Sequence, residues 1–140
     1  MEMRWRSCSA AVALLAMAAC LSSSQRSFLP DPSAARLNPD DWRTRASALL
    51  ETECPRLLGN ERSALGEVGF ELILASGGMV REAILTRPSG DERIDAMFGG
   101  LAAQLVFTTA TSDGDRAQVT GGYSCAPNAA VATLELNTRP

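Results

Sequence analysis

The chain has 140 residues and a formal net charge of −3 at pH 7, and its 13 basic residues are all arginine. An acidic chain without a basic cluster is poorly suited to nucleic acid, because that binding depends on neutralising phosphates. The absence of histidine removes the commonest general base and metal ligand near neutral pH. The absence of lysine excludes Schiff-base chemistry and a P-loop lysine. We therefore expect no nucleic-acid partner, no cofactor and no metal site.

The N-terminal segment has the layout of a secretory signal peptide. Arg4 and Arg6 precede an apolar run over residues 8–19. This run is much shorter than the roughly 20 residues that a transmembrane helix needs. A basic start, a short apolar stretch and small residues before a cleavage point are typical of a signal peptide. We assign residues 1–19 to it.

The end of this segment, Met17-Ala18-Ala19-Cys20, resembles the lipobox of bacterial lipoproteins, with Met17 where that motif usually has Leu. In that family the cysteine becomes the lipid-modified first residue of the mature chain. The resemblance implies lipidation of Cys20 and a membrane partner reached through the lipid. Leu21 after the cysteine resembles the pattern for export to the outer membrane. The alternative is an ordinary signal peptide with a coincidental cysteine.

Two cysteines remain beyond the signal peptide and Cys20, namely Cys54 and Cys125. In a chain exported to an oxidising compartment, such a pair is expected to form a disulfide. Closing a loop of this length stabilises a protein by roughly 4 kcal/mol in the chain-entropy model. A metal or redox pair is the alternative, but the chain has no histidine and no C-x-x-C motif.

The remaining chain predicts a tether followed by one domain. Residues 20–37 are rich in Ser and Pro and lack an apolar period, which is typical of a flexible tether. Residues 38–140 form the domain, and it begins with a helix over residues 38–58. Asn38 suits its N-cap and Pro39 its first turn, and Pro55 marks its end or a kink. The apolar positions of this helix are Trp42, Ala46, Leu49, Leu50 and Cys54.

The rest of the domain alternates between strand and helix patterns. Val68, Phe70, Leu72 and Leu74 share one parity, which predicts a strand. The parity changes in the following strand, which predicts a bulge. The predicted segments are a strand over 67–74, a turn over 75–78, a strand over 79–86, a helix over 91–105 and strands over 116–125 and 130–137. This order predicts an α+β fold, a small antiparallel sheet with helices on one face.

The order of these segments also resembles the C-terminal domain of TonB-type energy transducers over residues 67–125. The matching segments are Phe70–Leu74 for the first strand, Gly78–Leu85 for the second, Ser89–Gly90 with Ile94–Ala96 at the helix, and Phe107–Ala110 with Asp113–Gly114 and Val119 after it. Thr109 replaces the proline that is usual in the family. The resemblance implies a periplasmic binding fold that takes a partner's extended peptide along a sheet edge. Transducers also have a transmembrane helix and a long Pro-rich spacer, so we do not carry over energy transduction.

Other chemistry is less well supported by the sequence. Asp113 and Asp115 suggest a calcium loop, but Ser124 stands where such a loop needs its glutamate, which favours an acidic turn. Two groups of acids offer carboxylates for a hydrolase, but their spacing is also that of solvated helix faces and caps. These acids are Glu51, Glu53, Asp91, Glu92 and Asp95.

We therefore expect a periplasm-facing outer-membrane lipoprotein that binds an envelope protein and is not an enzyme. Pairing of a partner peptide with a sheet edge is the expected mode of binding. Two alternatives remain: a permanent structural subunit of an envelope complex, and a hydrolase that uses carboxylates. The only site residues that the sequence assigns are Cys20, Cys54 and Cys125.

Overall fold

The structure is a computed structural model that describes residues 25–137. The signal peptide and Cys20 lie outside the described residues. Within this range the chain forms five strands and two helices. They are β1 (Ser27–Phe28), α1 (Pro39–Leu58), β2 (Ala64–Leu74), β3 (Val80–Arg87), α2 (Glu92–Ala103), β4 (Arg116–Ala126) and β5 (Ala129–Asn137). No helix in this range is both long and apolar enough to cross a membrane.

The five strands form one sheet in the order β1-β3-β2-β4-β5, and every neighbouring pair is antiparallel. Both helices pack on one face of this sheet. There the Trp42 and Phe98 rings meet edge to face, with centroids 5.2 Å apart. Gly121 of β4 lies beneath both rings, where a Cβ atom would collide with Phe98. The predicted α+β fold with an antiparallel sheet is therefore confirmed.

Helix α1 covers the residues that the sequence predicts, and Pro55 does not mark its end. The Asn38 side chain accepts a hydrogen bond from the Asp41 N–H at 2.8 Å, and Pro39 occupies the first turn. The helix continues through Pro55 to Leu58, where the Gly59 N–H donates to the Pro55 carbonyl. Pro55 is exposed, so its ring faces solvent. The helix continues past it although proline has no N–H to donate to the preceding turn.

The β2–β3 hairpin contains the predicted bulge. Leu72 pairs with Ala83, but Leu74 pairs with Val80, so β3 has one more residue than β2 in this stretch. The extra residue returns Val80 to the helix-covered face, where its side chain is buried like that of Ala83. The bulge therefore explains why Val80 and Ala83 have opposite parity in the sequence and yet face the helices together.

The segment expected to be a flexible tether differs from that expectation where it is described. Ser27 and Phe28 pair with Ile84 and Ala83 at the edge of the sheet. Phe28 packs against Phe70 with centroids 6.1 Å apart, and its ring occupies the space where Gly99 has no side chain. An aromatic residue over a glycine notch buries apolar area, which outweighs the cost of ordering the chain there.

Gln104 fixes the following residues of this segment. Its buried side-chain amide donates to the carbonyls of Asp31, Ala34 and Ala35 at 3.2–3.3 Å and accepts from the Asp31 N–H at 2.5 Å. The backbone carbonyl of Gln104 accepts a hydrogen bond from the Leu37 N–H at 2.8 Å. One side chain thus satisfies several backbone groups that a packed, irregular segment would otherwise leave unpaired. Residues 25–37 belong to the folded domain.

The disulfide predicted from the sequence joins Cys54 of α1 to Cys125 of β4, with 5.4 Å between their Cα atoms. Both residues are buried. The bridge fastens the C-terminal half of α1 to the sheet. Trp42 fixes the other half of the same helix by packing on Phe98.

Candidate functional site

The two edges of the sheet differ in how far they are covered. On the β3 edge, the Leu85 N–H donates to the Arg26 carbonyl at 2.8 Å. At the other end of β3, the Val80 N–H donates to the Leu105 carbonyl at 3.3 Å. The segment that contains β1 and the residues that follow α2 thus cover parts of this edge, which leaves few free backbone groups for an added strand.

The β5 edge has no strand alongside it among the described residues. The Ala132 N–H donates to Ser47 Oγ at 2.9 Å, and the Leu134 carbonyl accepts from Arg43 Nη2 at 3.1 Å. Both groups therefore point away from β4. In an antiparallel ladder, alternate residues share this direction, so the backbone groups of Ala130 and Leu136 also point outward.

Side chains of α1 cap only the middle of this outer edge. Ser47 covers one donor and Arg43 covers one acceptor. The described residues provide no such cap for the outward groups of Leu136, near the C-terminal end of β5. Because the cap covers only two backbone groups in the middle of β5, the end of β5 at Leu136 is left open, among the described residues, to pairing with another strand.

A groove lies beside the open end of β5. It has a volume of about 400 Å³, and its lining is half apolar and half polar, the polar residues being Thr109, Thr111, Asp115, Arg116 and Gln118. Leu136 is 40% exposed and forms part of its wall. The apolar residues that line it are Leu74, Phe107, Ala110, Ala117 and Leu136. An extended peptide paired with this end of β5 would lie next to Leu136, the one residue of β5 that lines the groove. We call the outward groups of Leu136 and this groove the β5 edge site.

The face of the sheet opposite the helices is a second open surface. Leu65 and Val131 lie on it in one row across the sheet, on either side of Ser124, and are 74% and 51% exposed. An ion pair between Arg116 and Glu71, 2.6 Å from nitrogen to oxygen, lies further along the same face. The surface is apolar at one end and charged at the other.

The carboxylates that a hydrolase would need are paired with arginines. Glu53 accepts from Arg56 at 2.9 Å and from Arg93 at 3.0 Å. Asp91 caps α2 and binds Arg56 through both oxygens, at 2.6 and 3.1 Å. The Arg56 hydrogen bonds hold the pKa of the Asp91 carboxyl below its usual range. A general acid needs a raised pKa, so this pair is better suited to joining the two helices.

The other candidate acids also have structural roles or lie in water. Buried Asp95 accepts from the Ser89 N–H at 2.8 Å, ahead of α2. Glu51 and Glu61 line a shallow groove of about 500 Å³ beside the disulfide, and both are exposed. Solvent therefore surrounds these two carboxylates, and no closed cleft holds them.

The sequence Asp113-Gly114-Asp115 forms a turn. Gly114 has a φ of 92°, which glycine adopts without strain, and Asp115 accepts from the Ser112 N–H at 2.8 Å. Asp113 pairs instead with Arg81 at 2.8 Å. Across residues 25–137, no three Cys, Asp or Glu side chains are grouped closely enough to hold a metal ion.

Of the three site residues that the sequence assigns, the structure brings Cys54 and Cys125 together, and Cys20 lies outside the described residues. Sequence reasoning missed the residues of the β5 edge site. It also gave no role to Arg43 and Ser47, which cap the neighbouring part of β5. Their contacts to β5 depend on how α1 crosses the sheet, which no local pattern encodes.

No protein-family model, no curated protein and no solved structure matches this chain.

Proposed function

We propose that this chain is an outer-membrane lipoprotein, anchored through Cys20, whose periplasm-facing domain binds an envelope protein without catalysis. The domain takes an extended segment of that partner along the β5 edge site. Main-chain pairing supplies the affinity in this mode, and the groove beside Leu136 supplies selectivity for apolar side chains.

The observation that carries this proposal is the difference between the two sheet edges. The chain itself covers most of the β3 edge, whereas the end of β5 has outward-pointing groups beside a partly apolar groove. Unpaired strand edges are a hazard that proteins usually cover or blunt. An edge that is capped in its middle and open beside a groove fits a partner that completes it.

The lipobox-like segment before Cys20 supports the anchor, and an exported chain suits the Cys54–Cys125 disulfide. The strand order β3-β2-β4 with α2 between β3 and β4 supports a fold similar to the TonB C-terminal domain. Strand β5 adds one strand beyond β4. In this proposal the binding edge therefore belongs to the added strand.

The test is photo-crosslinking in the native host, with a photoreactive amino acid at Asn137, an exposed position at the end of β5. Leu136→Pro removes the outward N–H next to the probe and leaves the pairing to β4, since only an outward N–H is lost. Leu136→Val keeps the N–H and an apolar side chain, and is the matched control. Melting temperatures of both variants check that the fold is retained.

We expect one discrete protein adduct at Asn137 that the Leu136→Val variant keeps and the Leu136→Pro variant loses. An adduct that persists in the folded Leu136→Pro protein would contradict edge pairing. An adduct that forms only from a probe at Leu65, on the open face, would do the same and would favour the second candidate below.

A permanent structural subunit of an envelope complex is the second candidate, and the exposed Leu65 and Val131 favour it. Leu65 and Val131 lie on either side of Ser124 on the open sheet face, and exposed apolar area of this kind is typical of surfaces buried in an assembly. A permanent subunit co-purifies with its complex in fixed stoichiometry through high salt. A partner held by the β5 edge site exchanges instead.

A further inference from the structure

We infer that the domain rests on the phospholipid leaflet that holds its lipid anchor, with the β1 side of the sheet toward the lipid and β5 away from it. This inference rests on the lipid anchor in the proposed function. It assigns a membrane-facing surface around Arg26 and Leu29 and a partner-facing surface at the β5 edge site.

The first step is the reach of the chain between the anchor and the domain. Five peptide units connect Cys20 to Gln25, the first described residue. Even a fully extended chain spans at most about 18 Å over five residues. Gln25 therefore stays within about 18 Å of a lipidated Cys20, which is less than the width of the domain's sheet with its side chains.

The second step is that residues 25–37 do not lengthen this connection. The Leu85 N–H holds the Arg26 carbonyl at 2.8 Å, and Phe28 packs over the notch at Gly99. Gln104 then fixes the backbone of residues 31–37. If these residues were free, the tether from Cys20 to residue 37 would extend to about 60 Å. The docked segment therefore sets the distance of the domain from the membrane.

The third step is the place where the chain enters the sheet. Strand β1 is at one end of the order β1-β3-β2-β4-β5, and four strand spacings separate it from β5. With about 4.8 Å for each spacing, the two edges lie about 19 Å apart. A tether that attaches at β1 brings that edge to the lipid, and the other edge then faces the aqueous space.

The surface at the β1 edge suits the interface of a phospholipid layer. Leu29 directly follows β1 and is 71% exposed, which leaves an apolar side chain free to enter the headgroup region. The Arg26 guanidinium lies 5.3 Å from the centroid of the Phe28 ring and can reach a phosphate beside it. Arg81 and Arg87 on β3 are exposed as well, but they are paired with Asp113 at 2.8 Å and with Glu67 at 3.1 Å. The surface therefore combines an apolar side chain with one headgroup ligand, Arg26.

The test uses the acylated, full-length mature protein reconstituted in vesicles of phosphatidylcholine and phosphatidylglycerol. Leu29→Trp places a fluorophore at the β1 edge, and Leu136→Trp places one at the β5 edge site. Both positions are exposed, so both variants should fold, and the buried native Trp42 gives a constant background. Phosphatidylcholine with brominated acyl chains quenches tryptophan that lies in or against the lipid.

We expect the Leu29→Trp fluorescence to be quenched at least twofold more than the Leu136→Trp fluorescence. A second substitution, Gly99→Leu, displaces Phe28 and should remove most of this difference. Gly100→Leu is its matched control, because Gly100 has open space around it. It should leave the difference unchanged.

Equal quenching at the two positions, in protein that floats with the vesicles, would overturn the orientation and leave the anchor intact. Protein that does not float would remove the anchor and, with it, this orientation. Neither result bears on peptide binding at the β5 edge site, which the cross-linking at Asn137 tests separately.

Discussion

Arg43 Nη2 donates a hydrogen bond to the Leu134 carbonyl at 3.1 Å, from a helix to the outer edge of the sheet. The same guanidinium forms an ion pair with Asp40 at 2.7 Å and is partly exposed. A hydrogen bond from an exposed arginine contributes little to stability, because water and the side chain's own freedom compete with it. The contact therefore acts as a cap that a partner strand can displace.

Replacing Arg43 with Ala should expose one more acceptor on β5 and increase partner binding at the β5 edge site. We expect the adduct yield from a photoreactive residue at Asn137 to rise about two- to fivefold, which corresponds to about 0.4–1 kcal/mol. The free energy of unfolding should fall by less than about 1 kcal/mol, as for other exposed polar contacts. Urea denaturation measures the second quantity.

Arg45→Ala is the control for this change, since Arg45 is an exposed arginine on the same helix. It removes the same charge and should leave the adduct yield as it is. A lower yield in Arg43→Ala than in Arg45→Ala would mean that Arg43 binds the partner itself and does not compete with it.

The double substitution Cys54→Ala with Cys125→Ala should destabilise the domain substantially. The bridge joins residues 71 positions apart. In the chain-entropy model a loop of that length corresponds to roughly 4 kcal/mol of free energy of unfolding. Urea denaturation of the variant and of the oxidised parent protein gives the difference. A loss below about 1 kcal/mol would show that the bridge constrains the unfolded chain far less than its loop length implies.

Gly99 and Gly100 should respond oppositely to alanine. A Cβ atom at Gly99 collides with the Phe28 ring, so Gly99→Ala should loosen β1. The Leu85 amide donates to the Arg26 carbonyl and reports on that pairing, and its hydrogen exchange should become faster. At Gly100 nothing lies close, so Gly100→Ala should stabilise the helix by about 1 kcal/mol. Unchanged protection of Leu85 in Gly99→Ala would contradict the packing of Phe28 described above.

Asp91 should contribute to loss of stability in acid. Its two hydrogen bonds from Arg56 hold its pKa below the ordinary value of about 3.9 in the folded protein. A lowered folded-state pKa gives stability that is present above that ordinary value and is lost as the pH falls through the folded value. Asp91→Asn keeps a capping side chain but removes the charge, so its stability should fall less steeply with acid.

Thermal unfolding measured from about pH 5 to about pH 2 tests this, because paired carboxylates lose their contribution over that range. Glu92→Gln is the control, since Glu92 is the next residue and is exposed. Equal slopes for Asp91→Asn and the parent protein would show that the Arg56 pair does not affect stability.

Much of the domain follows from local sequence patterns. The polar cap at Asn38 and the alternation of Val68, Phe70, Leu72 and Leu74 each encode a start or a buried face directly. The parity change after Val80 encodes the bulge. In each of these cases residues that are close together in the sequence determine the local structure and the buried face. The sequence alone is therefore sufficient to predict these features.

Other features depend on contacts between distant residues and have no such signal. Strand β1 has two residues, too few for a period, and it forms because Phe28 finds the notch at Gly99. The amide of Gln104 fixes a segment about seventy positions earlier in the chain. The cap of β5 by Ser47 joins residues 85 positions apart. The extent of the tether and the open part of the β5 edge both follow from these long-range contacts.

The central claim is a disulfide-linked domain held close to the membrane through lipid on Cys20. Its most direct test is the intact mass of the mature protein extracted from native membranes, with and without reductant. The account predicts a chain that begins at Cys20, carries acyl groups and gains the mass of two hydrogens on reduction. An unlipidated chain, or one that still begins at Met1, would contradict it.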